Sequence, residues 1–430
     1  MAKLIRRALA KAKREGIASL ARSSVPWLID RVKVALHLEH DAEKINWFTH
    51  ITELDSRAEV LKSTPIVLSL SPTSRCNARC IMCGKIFSNG EKGFDLEMDA
   101  LESVSQYINN AKDFRLLASG EPFIAPVFWE ILDTISSSHA QAPYIVTHSN
   151  GMLCNKVIRE KIMQSSLGMI SFSLDAATPE TYKKIRNGDL NKTIENITQL
   201  IEMRNAAGRK KPEIRLNMTM MCENVHEAPF FVRMASAIGV DAVELWPLHE
   251  GPGPDWIVTR NGWTFSYEKQ LLTHCADKAN AAFAEANQVA NDLGMTLHWP
   301  FGAMRVQKAE PAAATPATPL LDQEQSSAPH TQIKVDVFER ANMPIDLLPE
   351  SAIIARCKIP WEWFIVDTNG DVRICCYMTD IVGNIHRQTP DSIWNGSVYR
   401  SMRRAIRHNR IPAVCTSAFC PYVLGARYVE

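Results

Sequence analysis

No stretch of this chain approaches the ~20 continuous apolar residues that a membrane-spanning helix needs. No apolar core followed by a small-residue cleavage site stands near its start. Charge of one sign is also lacking: 48 Lys and Arg against 47 Asp and Glu leave a net charge of +1, which gives no general basis for holding nucleic acid. Nor do the cysteines read as a disulfide scaffold. There are eleven in 430 residues, several in tight clusters, a usage that suggests metal ligation in a reducing compartment. The remaining composition, 46% hydrophobic and 22% charged, is that of an ordinary globular protein long enough for two or three domains. A cytoplasmic protein without a nucleic-acid partner is expected.

The tightest cysteine cluster is Cys76-Asn77-Ala78-Arg79-Cys80-Ile81-Met82-Cys83, a C-x3-C-x2-C loop following the apolar run Pro65 to Ser71, which reads as a buried strand. Three thiolates within eight residues can share one metal centre, but they lack the fourth protein ligand that closes a tetrahedral zinc site. Iron-sulfur clusters normally take four cysteines, so three leave one iron open for something other than a side chain. A zinc knuckle or three unrelated buried thiols are the alternatives.

From about 64 to 250 short apolar runs alternate with helical patterns. Strands are expected at 66–71, 114–118, 144–147, 169–174, 214–221 and 242–246, and helices at about 98–110, 127–138, 155–165, 179–186, 193–206 and 226–238. Six strand-helix repeats imply an α/β fold, a parallel sheet curled as a partial (β/α)6 TIM-like barrel with its chemistry at the C-terminal strand ends. Residues 262–297 carry an Ala-rich helical pattern, and the Ala-, Pro- and Ser-rich stretch 309–330 reads as a flexible linker or insertion. Basic residues crowd Lys3 to Lys33 on a helical pattern that could lie on an anionic membrane, dock to an acidic partner, or simply pack as a solvated helix. The expected organisation is a helical extension over 1–60, the barrel over 61–305, the linker over 306–350 and a small cysteine-bearing α+β domain over 351–430.

The cysteine loop, with the strand ends downstream of it, resembles the radical S-adenosylmethionine (SAM) superfamily. That resemblance implies a 4Fe-4S cluster on Cys76, Cys80 and Cys83, with SAM chelating the fourth iron. Ser119-Gly120-Glu121-Pro122, by itself a turn, resembles the family's "GGEP" element with Ser119 in place of the first Gly, and implies backbone and Glu contacts to the SAM amino group. Ser149-Asn150-Gly151 is close to the "TNG" turn and assigns Asn150 to the site by resemblance; His148 and Ser149 leave its register open. Ser171, Ser173 and Asp175 alternate onto one strand face, pointing polar groups inward. With Thr178-Pro179-Glu180 as a helix start, they resemble the peptide- and sugar-modifying branch, where the Ser and Asp hold SAM or substrate and Arg186 matches an Arg on the SAM carboxylate. An Asp-capped loop with a surface Arg would look the same. Asn217 and Thr219 could bond the SAM ribose or be core-facing polar groups, and Glu244 reads as surface.

A second cysteine set begins C-x12-G-x4-C: Cys357, Gly370, Cys375. Trp363 to Asp367, the turn Thr368-Asn369-Gly370-Asp371 and Val372 to Cys375 read as a hairpin returning Cys375 toward Cys357. The spacing, with Gly383-Asn384-Ile385 and Ile393-Trp394-Asn395 beyond it, resembles the start of SPASM/Twitch domains. The C-x2-C-x5-C-x3-C run of a full SPASM domain is missing, so the resemblance implies one auxiliary 4Fe-4S cluster on Cys357, Cys375, Cys415 and Cys420, with Cys376 competing for the Cys375 role and a four-cysteine zinc site as the alternative. Cys154, Cys222 and Cys275 read as small buried hydrophobes. Arg373 and the run Arg403 to His408 read as solvated helix or a phosphate contact. Together these matches imply reductive cleavage of SAM to a 5′-deoxyadenosyl radical, and a net oxidation or modification of a peptide or a sugar or aminocyclitol. They also imply a reducing partner such as flavodoxin or ferredoxin. A non-catalytic iron-sulfur electron carrier and a structural zinc protein are the other function classes.

Overall fold

The computed structural model describes residues 42–84, 93–117, 119–248, 256–299 and 357–408 except 377 and 379, together with 306, 410, 412 and 415. The basic segment 3–33, the stretch 309–330 and Cys420 lie outside the described residues. After helix α1 (Ala42–Ser56), strands β1 (Val67–Leu70), β2 (Asp113–Leu116), β3 (Tyr144–Ser149), β4 (Met169–Ser173), β5 (Glu213–Met220) and β6 (Ala242–Pro247) pair side by side in chain order, all parallel. Between them run α2 (Met98–Ser103), α3 (Ser105–Asn110), α4 (Pro126–Ser137), α5 (Lys156–Gln164), α6 (Pro179–Arg186), α7 (Leu190–Ala206) and α8 (Ala228–Ile238). Every strand and helix expected over 64–250 is present, in a mixed α/β, mostly parallel sheet of the partial TIM-like type. The sheet is covered by helices, so its strands are apolar on both faces: Leu68, Phe114, Ile145, Ile170, Leu216 and Val243 are all fully buried. In α4 the buried positions Val127, Phe128, Ile131, Leu132 and Ile135 repeat at helical spacing and form its core-facing stripe.

Helix α6 matters most for the site, and its sequence sets both ends. Pro179 occupies the first turn, the Thr178 side chain accepts from the Thr181 N–H, and the helix stops at Asn187 in the left-handed region (φ 57°). That stop fixes the position of Arg186, its last residue.

Beyond β6 the chain departs from the expected long helix. Residues 257–266 form a separate two-stranded hairpin, β7 (Ile257–Arg260) with β8 (Trp263–Ser266). Helix α9 (Ala276–Leu293) starts later, and β9 (Thr296–His298) pairs parallel with β6. The hairpin turn is Asn261-Gly262, both at positive φ. Helix α10 (Ile359–Glu362) leads into β10 (Trp363–Val366), which adds parallel to β1, and β11 (Asp371–Arg373) and β12 (Gly383–Asn384) continue antiparallel, followed by α11 (Pro390–Trp394) and α12 (Ser397–Arg407). The expected hairpin turn is there, with Gly370 at φ 79°, where a Cβ would meet the His386 ring at 2.2 Å. Trp361 Nε1 donates to Ala58 O and Trp394 Nε1 to Ser63 O, both at 2.8 Å, tying this region to the chain just before β1.

Four expectations are corrected. Cys222 and Cys275 form a disulfide rather than standing as lone hydrophobes. The end of β5 and the start of α9 are brought together there by Cys222 N–H on Gln270 O (3.0 Å) and Glu223 N–H on Gln270 Oε1 (2.9 Å). Cys154 is buried as expected. Glu244 is not surface: it is 6% exposed and paired with Arg215. Arg403 is neither solvated nor free for phosphate; it is buried, with Nε on Pro360 O at 2.8 Å and its guanidinium 4.5 Å from the Trp394 ring centroid. Arg373 chelates Asp367 through two 2.6 Å bonds. Among the described residues no helix is long and apolar enough to cross a membrane.

Candidate active site

The loop after β1 is set by backbone bonds to the end of α6 and to the turn after β2, and by a side-chain bond from the end of β3. Ile81 N–H donates to Ile185 O (2.8 Å), fastening the loop to the end of α6. Glu121 N–H donates to Arg75 O (2.7 Å). That approach requires glycine at 120, because a Cβ there would lie 1.9 Å from Arg75 O. Arg75 is held by Asp95, which also accepts from Thr73 Oγ1 at 2.6 Å. From the third strand end, Asn150 Nδ2 donates to Asn77 Oδ1 at 2.9 Å and lies 4.0 Å from Cys76 Sγ.

These contacts leave a cavity of about 250 Å³ walled by Cys76, Cys80 and Cys83, with Ser119, Gly120, Glu121, Asn150, Ser173 and Arg186 on the same wall. Of the expected site residues, Pro122, Ser171, Asp175 and Asn217 are not on it. Pro122 opens the short turn Pro122–Ile124, and Asn217 O accepts the Leu174 N–H at 3.0 Å. Ser171 Oγ instead donates to Glu244 Oε2 at 2.8 Å. Asp175 is fully buried at φ 62°; it accepts from Arg186 Nε (2.6 Å) and from the Thr219 N–H (2.7 Å), so it reaches the cavity only through Arg186. Asn224 Nδ2 donates to Asp175 O at 2.7 Å and Glu227 accepts the Ala177 N–H at 2.7 Å, which supports the unusual backbone there.

Glu121 is 1% exposed and accepts from Ser149 Oγ (2.8 Å), the Asn150 N–H (2.8 Å) and the Phe123 N–H (3.3 Å), bracing two strand ends against each other. Burial pushes its carboxyl up to about 7, although those three donors pull the other way. For Arg186 burial opposes the charge, but Asp175 and Cys80 outweigh it and keep the guanidinium more firmly protonated than usual. Burial pushes the Cys76 thiol up and the Cys80 thiol to about 11, with Arg186 opposing in both cases. Such thiols lose their protons to solvent when they take up iron, since the thiolate is the ligand.

Sequence reasoning missed His148. It lies on β3 directly opposite Ser171 and lines the cavity, where enclosure by the surrounding protein, with Arg115 and Arg215, lowers its pKa against the opposing pull of Glu244. The strand alternation that singled out Ser171 and Ser173, applied to β3, would have placed it. The Arg215–Glu244–Ser171 network beneath it spans three strands that no local pattern joins.

Two observations bear on whether this wall suits an iron-sulfur cluster. The three thiols line one cavity rather than converging on a single point among the described residues, as suits a group several ångströms across with one thiolate per iron. Arg260 Nη1 is buried without a hydrogen-bond partner among the described residues; burial lowers the pKa of its guanidinium, and Cys80 opposes that shift. The residues fit the group. In the C-terminal region Cys357, Cys375 and Cys415 are buried in the main core while Cys376 is exposed.

Residues 70–234 match the Radical SAM superfamily, and residues 357–421 match SPASM, an iron-sulfur cluster-binding domain. Over 181 residues the chain is 26% identical to a tungsten-containing aldehyde ferredoxin oxidoreductase cofactor-modifying protein of Pyrococcus furiosus, covering 41% of this chain and 49% of that protein. The chain thus spans about half the length of that relative. It is 22% identical over 352 residues to the AdoMet-dependent heme synthase of Methanosarcina barkeri, covering 80% and 86% of the two chains. Among solved structures, SuiB of Streptococcus suis bound to S-adenosylmethionine superposes with a TM-score of 0.53 at 14% identity, over 92% of this chain and 82% of that one. The anSMEcpe structure with bound AdoMet and Cp18Cys peptide gives 0.50 at 15%, over 81% and 83%. At such identities the likeness is one of fold. The family matches over the cysteine loop and over the C-terminal cysteines carry the rest: this chain belongs to the radical SAM superfamily, carries a C-terminal SPASM domain, and uses S-adenosylmethionine with 4Fe-4S clusters.

Proposed function

We propose that this protein reductively cleaves S-adenosylmethionine and uses the resulting radical for a net oxidation or other modification of a peptide or a sugar or aminocyclitol. The observation that carries the reading is the shared wall: Cys76, Cys80 and Cys83 face one cavity together with Arg186, the buried cation able to hold a carboxylate there. The cluster on those cysteines would supply one electron to the SAM sulfonium, releasing methionine and the 5′-deoxyadenosyl radical that removes a substrate hydrogen atom. The chain's own part is geometric. Arg186, oriented by Asp175, would fix the methionine carboxylate. The Ser119-Gly120 backbone, Asn150 and Ser173 would line the SAM moiety, and Glu121 would keep the Asn150 turn in place through its bonds to Ser149 and Asn150. Cys357, Cys375 and Cys415, with Cys420 as the fourth ligand, would hold the auxiliary cluster; burial of Cys375 and exposure of Cys376 favour Cys375. That cluster would accept the electron left on the substrate, and a flavodoxin- or ferredoxin-like partner would reduce the first.

The test is anaerobic reconstitution of the wild type and of the Cys76/Cys80/Cys83→Ala variant, followed by iron analysis and incubation with SAM and dithionite. The expected result is about eight irons falling to about four, with 5′-deoxyadenosine from the wild type alone. Equal 5′-deoxyadenosine from both proteins would overturn the assignment.

A further inference from the structure

The hairpin β7–β8 stands apart from the barrel sheet, yet its inner face is pressed onto the cysteine loop. Phe265 is fully buried with Ile81 of the loop and with Ile185, the neighbour of Arg186, while Trp256, Val258 and Tyr267 pack around them beside Met82. Gly84, just past the third cysteine, sits so close to the Trp256 ring that a Cβ would lie 3.3 Å from it. Burial alternates along β7, with Ile257 and Thr259 exposed and Val258 and Arg260 turned inward. Arg260 ends that inward face. Its Nη2 donates to the carbonyl of Arg79, inside the Cys76–Cys80 span, and its Nη1 is buried with no hydrogen-bond partner among the described residues.

A buried guanidinium nitrogen without an acceptor is costly and rarely left so. The acceptors that iron-sulfur ligation would bring to this loop are thiolate and sulfide sulfurs, and hydrogen bonds to such sulfurs are among the factors that set a cluster's reduction potential. We propose that Arg260 is a positioning residue for the cluster on the cysteine loop: Nη2 pins the loop through the Arg79 carbonyl, and Nη1 donates to a sulfur on the Cys80 side, making the cluster easier to reduce. The inference rests on the radical SAM reading of the loop. The Asn261-Gly262 turn closes the hairpin, the Cys222–Cys275 disulfide ties down the start of α9 beyond it, and the Phe265–Ile81–Ile185 packing seats it on the loop.

The test uses full-length reconstituted protein and does not depend on turnover. Iron content and a potentiometric titration followed by the EPR signal that changes on adding SAM would be measured for wild type, Arg260→Met and Arg260→Lys. Expected are wild-type iron in both variants, a midpoint shifted to more negative potential in Arg260→Met with a several-fold smaller fraction reduced by dithionite, and an intermediate value for Arg260→Lys, which keeps charge but not the two-pronged donor. An unchanged midpoint in an iron-replete Arg260→Met would overturn the proposal. So would poor iron loading by Arg260→Met together with a wild-type midpoint in Arg260→Lys, since that pattern marks a purely structural strap. A wild type with no SAM-responsive signal would instead overturn the underlying cluster reading.

Discussion

Asp175 shows how much of this site acts at one remove. It lies off the cavity wall, fully buried and in a left-handed conformation that ordinary residues avoid, and its carboxylate is shared between Arg186 and the Thr219 N–H. Removing its charge leaves the Arg186 guanidinium buried and uncompensated, a loss typically of about 3 kcal/mol or more. Asp175→Asn is therefore expected to lower the denaturant midpoint and to weaken SAM binding, while the Asp175→Asn/Arg186→Met double variant should lose less stability than the two single losses added together. Strict additivity would mean the pair is not coupled. Gly120 acts by what it lacks. A Cβ 1.9 Å from Arg75 O cannot be accommodated without moving the loop, so Gly120→Ala should cost roughly tenfold or more in SAM affinity by calorimetry. Wild-type affinity would show that the Glu121–Arg75 backbone bond does not set the site.

Elements were legible where the signal was local and repeated. The six parallel strands and their helices alternate every few tens of residues with apolar runs, and α6 carried its own start in Thr178-Pro179. The hairpin at 257–266 leaves little local signal: its one turn, Asn261-Gly262, sits just before an Ala-rich run, and the N-cap of α9, Cys275, makes no side-chain cap to mark where that helix starts. The parallel pairing of β10 with β1 joins Val67 to Trp363, a register no local pattern can carry. For the same reason Glu244 read as surface when its partner Arg215 stood on another strand. Helix α12 gives the clearest case. Its Arg403-Arg404 run read as a charged face, but Arg403 is buried between Trp394 and Tyr399 and bonded to Pro360 O. Arg403→Ala should cost about 3 kcal/mol in denaturant unfolding, through lost packing and unpaired carbonyls, and Arg403→Lys should recover little of it. A loss below about 0.5 kcal/mol, the range of an ordinary surface substitution, would restore the solvated-helix reading.

At the scale of the whole molecule, the chain before β1 and the C-terminal elements close on each other, and His50 lies where they meet. It is 1% exposed, its Nδ1 has no hydrogen-bond partner among the described residues, and the backbone of Trp361 bonds its ring. Burial lowers its pKa to about 4, with Lys358 acting in the same direction and Glu53 against it. The folded protein therefore keeps the imidazole neutral where the unfolded chain, near pKa 6.5, takes up a proton. The stability from this group is complete above pH 6.5 and is lost as pH falls from there toward 4, on the order of 3 kcal/mol in total and about 2 kcal/mol by pH 5. His50→Gln removes that titration and leaves the carboxylates, including Glu121, as they were. Urea unfolding at pH 7.5 and pH 5 should then show the wild type losing about 2 kcal/mol more than the variant between the two values. Parallel losses in both proteins would mean that the contact between the N-terminal and C-terminal regions does not hold His50 neutral, and that the acid sensitivity of the fold lies elsewhere.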